Sequence, residues 1–321
     1  MNSDHQAASQ TSSVPQLRGP YLGQEPPGLE PRLFAPGVVS TGLATRDIAI
    51  TPDGNELYFS VTLGAKTMIV VTRQVGGVWT EPEVAPFSGR YLDIEPTISA
   101  DGQRLFFLST RPQTGQEEKS GWVYQDIWVV DRKGDGWGEP YNLGPPVNSD
   151  APEYFPSITA DGTLYFTREG EDRVSLTYRS RLVDGVYTEP ELLPPQVNCG
   201  SNRFNVCVAR DESFAIVPAV GRDDGFGGVD YYVVFRDDDD TWSEPVNMGP
   251  RINQAAGREW SASLSPDGKY LFFMSSRTDE EVDLPLTGRS ITELLELSTQ
   301  PGQGSSDIWW VSADVIEQLR P

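Results

Sequence analysis

The residues with chemistry to offer in this 321-residue sequence are carboxylates, arginines and aromatic rings set at a fixed offset ahead of a recurring four-residue turn. Aligned on that turn, five trios follow one another: Thr45, Arg46 and Asp47; Asp93, Ile94 and Glu95; Glu153, Tyr154 and Phe155; Arg203, Phe204 and Asn205; Glu259, Trp260 and Ser261. Strand side chains alternate between faces, so the first and third members of each trio are expected to share one face. On that expectation Asp47, Asp93, Glu95, Glu153 and Glu259 gather with Arg203 and nearby Arg258 at one opening, overlooked by Tyr154 and Trp260. Carboxylates among aromatic faces and guanidinium groups suit a sugar, or another polyhydroxylated or cationic ligand. The candidate ligand-binding residues are Arg46, Asp93, Tyr154, Arg203, Asn205, Arg258 and Trp260. A pair drawn from Asp47, Glu95, Glu153 and Glu259 is the alternative, as acid and base or nucleophile for glycoside cleavage, which needs no histidine.

The missing residue types narrow the chemistry. The single histidine, His5, lies in a Ser/Gln/Ala-rich N-terminal stretch, which leaves no folded imidazole for a nucleophile pair or a zinc site. Cys199 and Cys207 cannot make a thiolate zinc site alone, and their spacing does not decide whether they pair. No cofactor is expected; the run Asp237–Asp240 has the oxygens to recruit Ca²⁺, but a solvated hairpin tip is the reading preferred. With 25 Lys and Arg against 47 Asp and Glu, the chain carries a formal charge of −22 and no basic run, so a nucleic-acid partner is not expected. No apolar stretch approaches the roughly 20 residues of a membrane helix. The opening MNSDHQAASQTSSVPQ resembles the polar spacer behind a removed signal or lipoprotein anchor, which points outside the cytoplasm.

The elements that must position the trios repeat. TPDG at Thr51 recurs as SADG at Ser99, TADG at Thr159 and SPDG at Ser265, with a degenerate ARDE at Ala209, in steps of 48, 60, 50 and 56 residues. Asp-Gly between two extended apolar runs reads as a tight hairpin turn. After each turn comes an aromatic and aliphatic strand (ELYFSV at Glu56, YLFFMSS at Tyr270), then a third (DIWVV at Asp126, DIWWV at Asp307), then a fourth in Trp-x-Glu-Pro segments at Trp79, Trp137, Tyr187 and Trp242. Four-stranded units repeated without helices describe a five-bladed β-propeller. The fifth unit lacks its own fourth strand, and EPRLFAPGVVS at Glu30–Ser40 matches EPYNLGPPVNS at Glu139–Ser149, so the N-terminal strand at about 30–40 is expected to close the last blade. The chain divides into a polar extension, 1–29, and one propeller, 30–321, with blades at about 43–90, 91–150, 151–201, 202–257, and 258–321 plus 30–42.

These motifs, SPDG at Ser265, YLFFMSSR at Tyr270, DIWWV at Asp307 and WSEPVNMG at Trp242, resemble the TolB-type, WD-repeat-like bacterial propeller family from about Glu30 to the end. The resemblance implies extracytoplasmic binding or scaffold modules, with a minority of related propellers serving as hydrolases or lyases. Blade 4 departs from the pattern at ARDE, and blade 1 lacks the Ser-Arg ending.

Arg111, Arg168, Arg222 and Arg277 follow the second strand in four blades; recurrence favours a structural tie, with a carboxylate such as Asp126 or Asp307 as partner, over a ring of anion ligands. Insertions at 112–125, 221–228 and 278–306 all leave one face, and SITELLEL in the last suits a helical turn or two over the channel mouth. The expectation is a monomeric, non-catalytic extracytoplasmic propeller that binds a carbohydrate or a protein or peptide at the mouth on that face, with a carboxylate glycoside hydrolase or lyase as the alternative.

Overall fold

Each blade grows from the chemistry of its turn. In the computed structural model, which describes residues 17–255, 258–278 and 286–321, the first hydroxyl of each regular tetrad donates to the tetrad Asp: Thr51 to Asp53 (2.6 Å), Ser99 to Asp101 (2.5 Å), Thr159 to Asp161 (2.6 Å) and Ser265 to Asp267 (2.7 Å). The closing glycines, Gly54, Gly102, Gly162 and Gly268, hold φ between 70° and 87°, a region that costs a residue with a Cβ. In the degenerate turn Glu212 takes that place at φ 60°. Its carboxylate accepts from Tyr165 Oη (2.5 Å) of blade 3 and Arg236 Nη1 (2.8 Å), contacts that offset the strain.

Five antiparallel sheets follow. Blade 1 runs Ala44–Ile50, Glu56–Leu63 and Lys66–Val75, and blade 2 runs Asp93–Ile98, Arg104–Ser109 and Asp126–Lys133. Blade 3 comprises Glu153–Ile158, Leu164–Glu169 and Ser175–Ser180. In blade 4 the inner strand is broken into Asn202–Arg203 and Cys207–Val208, ahead of Phe214–Val220 and Asp230–Phe235. Blade 5 has Ala262–Leu264, Tyr270–Ser275 and Asp307–Ser312. Two-residue outer pieces such as Glu83–Val84, Tyr141–Asn142, Glu191–Leu192 and Val246–Asn247 complete the first four blades.

The outer piece of blade 5 is Arg32–Leu33, paired antiparallel with Arg32 opposite Trp310 and Leu33 opposite Trp309, so the N-terminal strand closes the ring as the sequence match predicts. Phe34, fully buried, sets its ring edge-on to Trp310 at 5.2 Å, and Trp310 stacks on Phe272 at 5.7 Å. Burial of one such side chain contributes about 1.5–3 kcal/mol. Leu17–Leu29, counted with the extension in the sequence, is part of this closure: Trp79 donates its backbone N–H to Leu17 O and its indole N–H to Gly19 O, and Leu22 is buried. Residues 1–16, with His5, lie outside the described residues.

The described apolar core forms five clusters, one at each seam between neighbouring blades. Cys199 and Cys207 are free, buried thiols. No helix among the described residues is long and apolar enough to cross a membrane. The SITELLEL motif is a helix, Ile291–Ser298, capped reciprocally by Ser290 and Glu293. Gly42, lacking a Cβ, lets the helix end approach, since a Cβ there would lie 2.5 Å from Ser298 O.

Candidate functional site

The inner strands do not alternate strictly where they enter the channel. Asp47, Glu95, Phe155 and Asn205, third in their trios, have φ of 54°, 62°, 49° and 47°, and the strand register shifts at this point in blades 1 to 3. These are β-bulges, and they redirect side chains on either side. In blades 1 to 4 the three positions of the trio therefore part, and the pairing of first with third expected from simple alternation is corrected.

First positions go into the wall. Asp93, Glu153 and Glu259 are fully buried and Arg203 nearly so. Asp93 accepts from Arg111 Nη2 (2.9 Å) and Ser109 Oγ (2.6 Å). Glu153 accepts from Arg168 Nε (2.6 Å) and from the Ser149 hydroxyl. Glu259 accepts from Ser275 Oγ at 3.0 Å. Arg203 donates to three backbone carbonyls, those of Cys199, Ser175 and Gly200. The recurring arginines are thus structural ties, but their partners differ from those expected. Arg111 pairs with Asp93 and Arg168 with Glu153, while Arg222 bonds Asp224 and Arg277 bonds Ser275 and the carbonyls of Arg251 and Ile252. Asp126 instead accepts from Gln113 and Asn142, and Asp307 from Gly302 N–H. Arg111 also lies 5.2 Å over Trp128, and Arg277 lies 5.2 Å over Trp309, which accounts for the aromatic residue in the Asp-Ile-Trp strands.

Second positions form the mouth. Arg46, Ile94, Tyr154, Phe204 and Trp260, one from each blade, line a cavity of about 270 Å³, joined by Glu95, Asn205, Leu108, Trp122, Gln125 and Glu169. Of the residues named from sequence, the structure brings together Arg46, Glu95, Tyr154, Asn205 and Trp260 here. Asp93, Glu153, Arg203 and Glu259 are withdrawn into the wall, while Arg258, exposed and with its backbone N–H bonded to Ser276 Oγ, sets its guanidinium 5.9 Å over the Trp260 ring at the rim. Ile94 and Phe204 were visible in the aligned trios but carry no reactive group. Trp122, from the 112–125 insertion, had no repeat to mark it. None of Ile291–Ser298 lines the cavity, and the C-terminal end of this helix packs against Gly42.

Third positions lie beneath, where Asp47, Glu95 and Phe155 border a narrow channel of about 70 Å³. Arg46 bridges the two levels. Its Nε donates to Asp47 Oδ2 (2.7 Å), and its Nη2 donates to Glu95 Oε1 (2.8 Å) and Ser261 Oγ (2.9 Å). Glu95 Oε2 accepts from Phe155 N–H (2.8 Å), and Asn205 donates to Ser261 Oγ (3.0 Å). Burial pushes the Glu95 carboxyl up to about 7, against the opposing pull of Arg46. Glu259 is likewise pushed by burial to about 7, and burial pushes the Tyr154 phenol well up. Tyr154 Oη shares a hydrogen bond with Ser175 Oγ (2.6 Å), which fixes its ring at the rim.

Of the acidic run Asp237–Asp240, Asp240 is held by Arg179, Arg181 and Arg236, which hold its pKa far below the usual range. Asp239 caps Thr241. Among the described residues no cluster of three or more His, Cys, Asp or Glu is placed to hold a metal.

No protein-family model matches the chain, and no curated protein matches it. Among solved structures it is similar to TolB from Acinetobacter baumannii, at 14% identity and a TM-score of 0.47, covering 84% of this chain but only 57% of that one. A putative TolB from Agrobacterium tumefaciens matches at 16% identity and a TM-score of 0.47, over 84% of this chain and 90% of that one. The α-L-arabinofuranosidase PaAbf62A from Podospora anserina, solved with cellotriose, matches at 10% identity and a TM-score of 0.44, over 92% and 96%. These likenesses are too distant to carry a function to this chain.

Proposed function

We propose that this chain is a non-catalytic, extracytoplasmic binding propeller whose ligand, a carbohydrate, is held in the mouth on the long-loop face. The observation that carries the reading is the meeting of Tyr154, Phe204, Trp260 and Trp122 with Arg46 in one cavity of about 270 Å³ on a rigid five-bladed frame. Aromatic faces supply apolar contact to the C–H faces of a sugar, while a few fixed polar groups orient its hydroxyls. With Asp47 and Glu95 both ionised the Arg46 charge is outweighed, so in that state stacking and hydroxyl hydrogen bonds carry the affinity for a sugar.

Glycoside cleavage draws no support from this geometry. Of the four carboxylates proposed for it, Asp47, Glu95 and Glu153 are buried in ion pairs and Glu259 is buried against Ser275.

A thermal-shift screen of the monomer against oligosaccharides and peptides tests the reading, because a ligand at 100 times its Kd adds about 2.7 kcal/mol to stability. A shift with oligosaccharides that Trp260→Ala removes is the expected result. Shifts with peptides alone, or none, contradict it.

A further inference from the structure

We propose that the mouth is proton-linked: it takes a sugar bearing a carboxylate when Glu95 is protonated and releases it when Glu95 ionises. The proposal rests on the sugar-binding reading of this cavity and adds the ligand's charge and a switch.

Arg46 lines the cavity, and Arg258 stands over the Trp260 ring 5.9 Å from its centroid at the rim. The Nε and Nη2 of Arg46 are committed to Asp47, Glu95 and Ser261, while none of these bonds uses Nη1. With both carboxylates ionised the three charges sum to one negative, and an incoming carboxylate meets repulsion at the cavity floor. A proton on Glu95 brings the group of Arg46, Asp47 and Glu95 to neutrality, with Glu169 at the rim unchanged, and leaves the guanidinium one charged partner and remaining donors for an anionic group.

The surroundings single out Glu95 as the group that changes. From blade 1 it faces Arg46 and Asp47, and from blade 3 the Phe155 N–H, with Tyr154 and Glu169 at the rim. From blade 4 comes Asn205, and Tyr231, whose hydroxyl is tied to the Ser261 and Met274 carbonyls, lies near Arg46 and Asp47. From blade 5 comes Ser261, while Glu259 is fully buried on Ser275. Burial holds Tyr154 and Tyr231 neutral. With the Glu95 carboxyl near 7, its protonated fraction rises about tenfold between pH 8.0 and pH 5.5, and apparent affinity scales with that fraction.

The test titrates an oligouronide and its neutral counterpart of the same linkage into the full chain by calorimetry at pH 5.5 and 8.0. A sugar carboxylate is ionised at both values. The expected result is about tenfold tighter binding of the oligouronide at pH 5.5, with uptake of one proton per ligand at pH 8.0. The neutral sugar should change less than about twofold. Glu95→Gln should bind the oligouronide equally at both pH values, whereas Glu259→Gln should keep the full dependence; the second variant separates the switch from general loss of negative charge. Oligouronide affinity independent of pH while the neutral sugar still binds would overturn the switch and leave the site standing. Failure of both sugars at both pH values would overturn the site and the switch together.

Discussion

The first and second residues of each inner-strand trio are neighbours in sequence and part company in the structure. The first, in blades 2, 3 and 5, is a carboxylate buried in the wall and bonded to hydroxyls or to the arginine of its own blade. The second is different in every blade, Arg, Ile, Tyr, Phe and Trp, and all five meet in one cavity. A side chain that performs the same task in each blade is free to repeat, because the local surroundings repeat. Around a single ligand each blade offers a different contact, so the residues there diverge. In a repeat protein recurrence marks the frame, and departure from it marks the site.

That contrast can be broken most forcefully in the wall. Arg111→Ala strands the fully buried Asp93 carboxylate, which should cost about 3–5 kcal/mol of stability in chemical denaturation while leaving sugar affinity per folded molecule unchanged. A fall in affinity without loss of stability would put Arg111 in the site instead.

The pH profile comes next. Glu95 and Glu259 are pushed from ordinary values of 4.5 to about 7, and Asp307 from 3.8 to about 6, all by burial. Between the unfolded and folded values the native state holds more protons, so stability is greatest near pH 4.5 and falls as pH rises toward 7. Melting temperatures recorded from pH 4.5 to 8 should decline, and Glu95→Gln with Glu259→Gln should flatten the slope.

At the mouth the signs reverse. Trp260→Ala should weaken oligosaccharide binding roughly tenfold, about 1.4 kcal/mol, as read by calorimetry. Its effect on stability should stay below that of Arg111→Ala. Trp122→Ala, on a loop and 43% exposed, should cost binding only a few-fold and stability less than about 0.5 kcal/mol.

Much of the fold was legible because its signals are local and repeated: the Asp-Gly turns, the strand lengths and the match of Glu30–Ser40 to Glu139–Ser149 all sit in short windows. The latch strand at Arg32–Leu33 followed from that match alone. The candidate site was legible only by position. Alignment on the turn found the right trios and set Tyr154 and Trp260 over the mouth, yet strict alternation sent Asp93, Glu153 and Glu259 there as well, where the structure buries them in the wall, and it passed over Phe204. A left-handed Glu95 or Phe155 has no signature in sequence, since neither residue favours that conformation and tertiary contacts impose it. The partners of the recurring arginines were misjudged for a related reason: Arg111 and Asp93 are 18 residues apart and meet only once the blade is assembled.

Hydrogen exchange with and without a saturating oligosaccharide tests the central claim most directly. Protection confined to the inner-strand entrances around Arg46, Ile94, Tyr154, Phe204 and Trp260, together with the 112–125 loop, is the predicted result. Protection on the opposite face around the Asp53 and Asp267 turns, or none at a concentration that shifts the melting temperature, would contradict it.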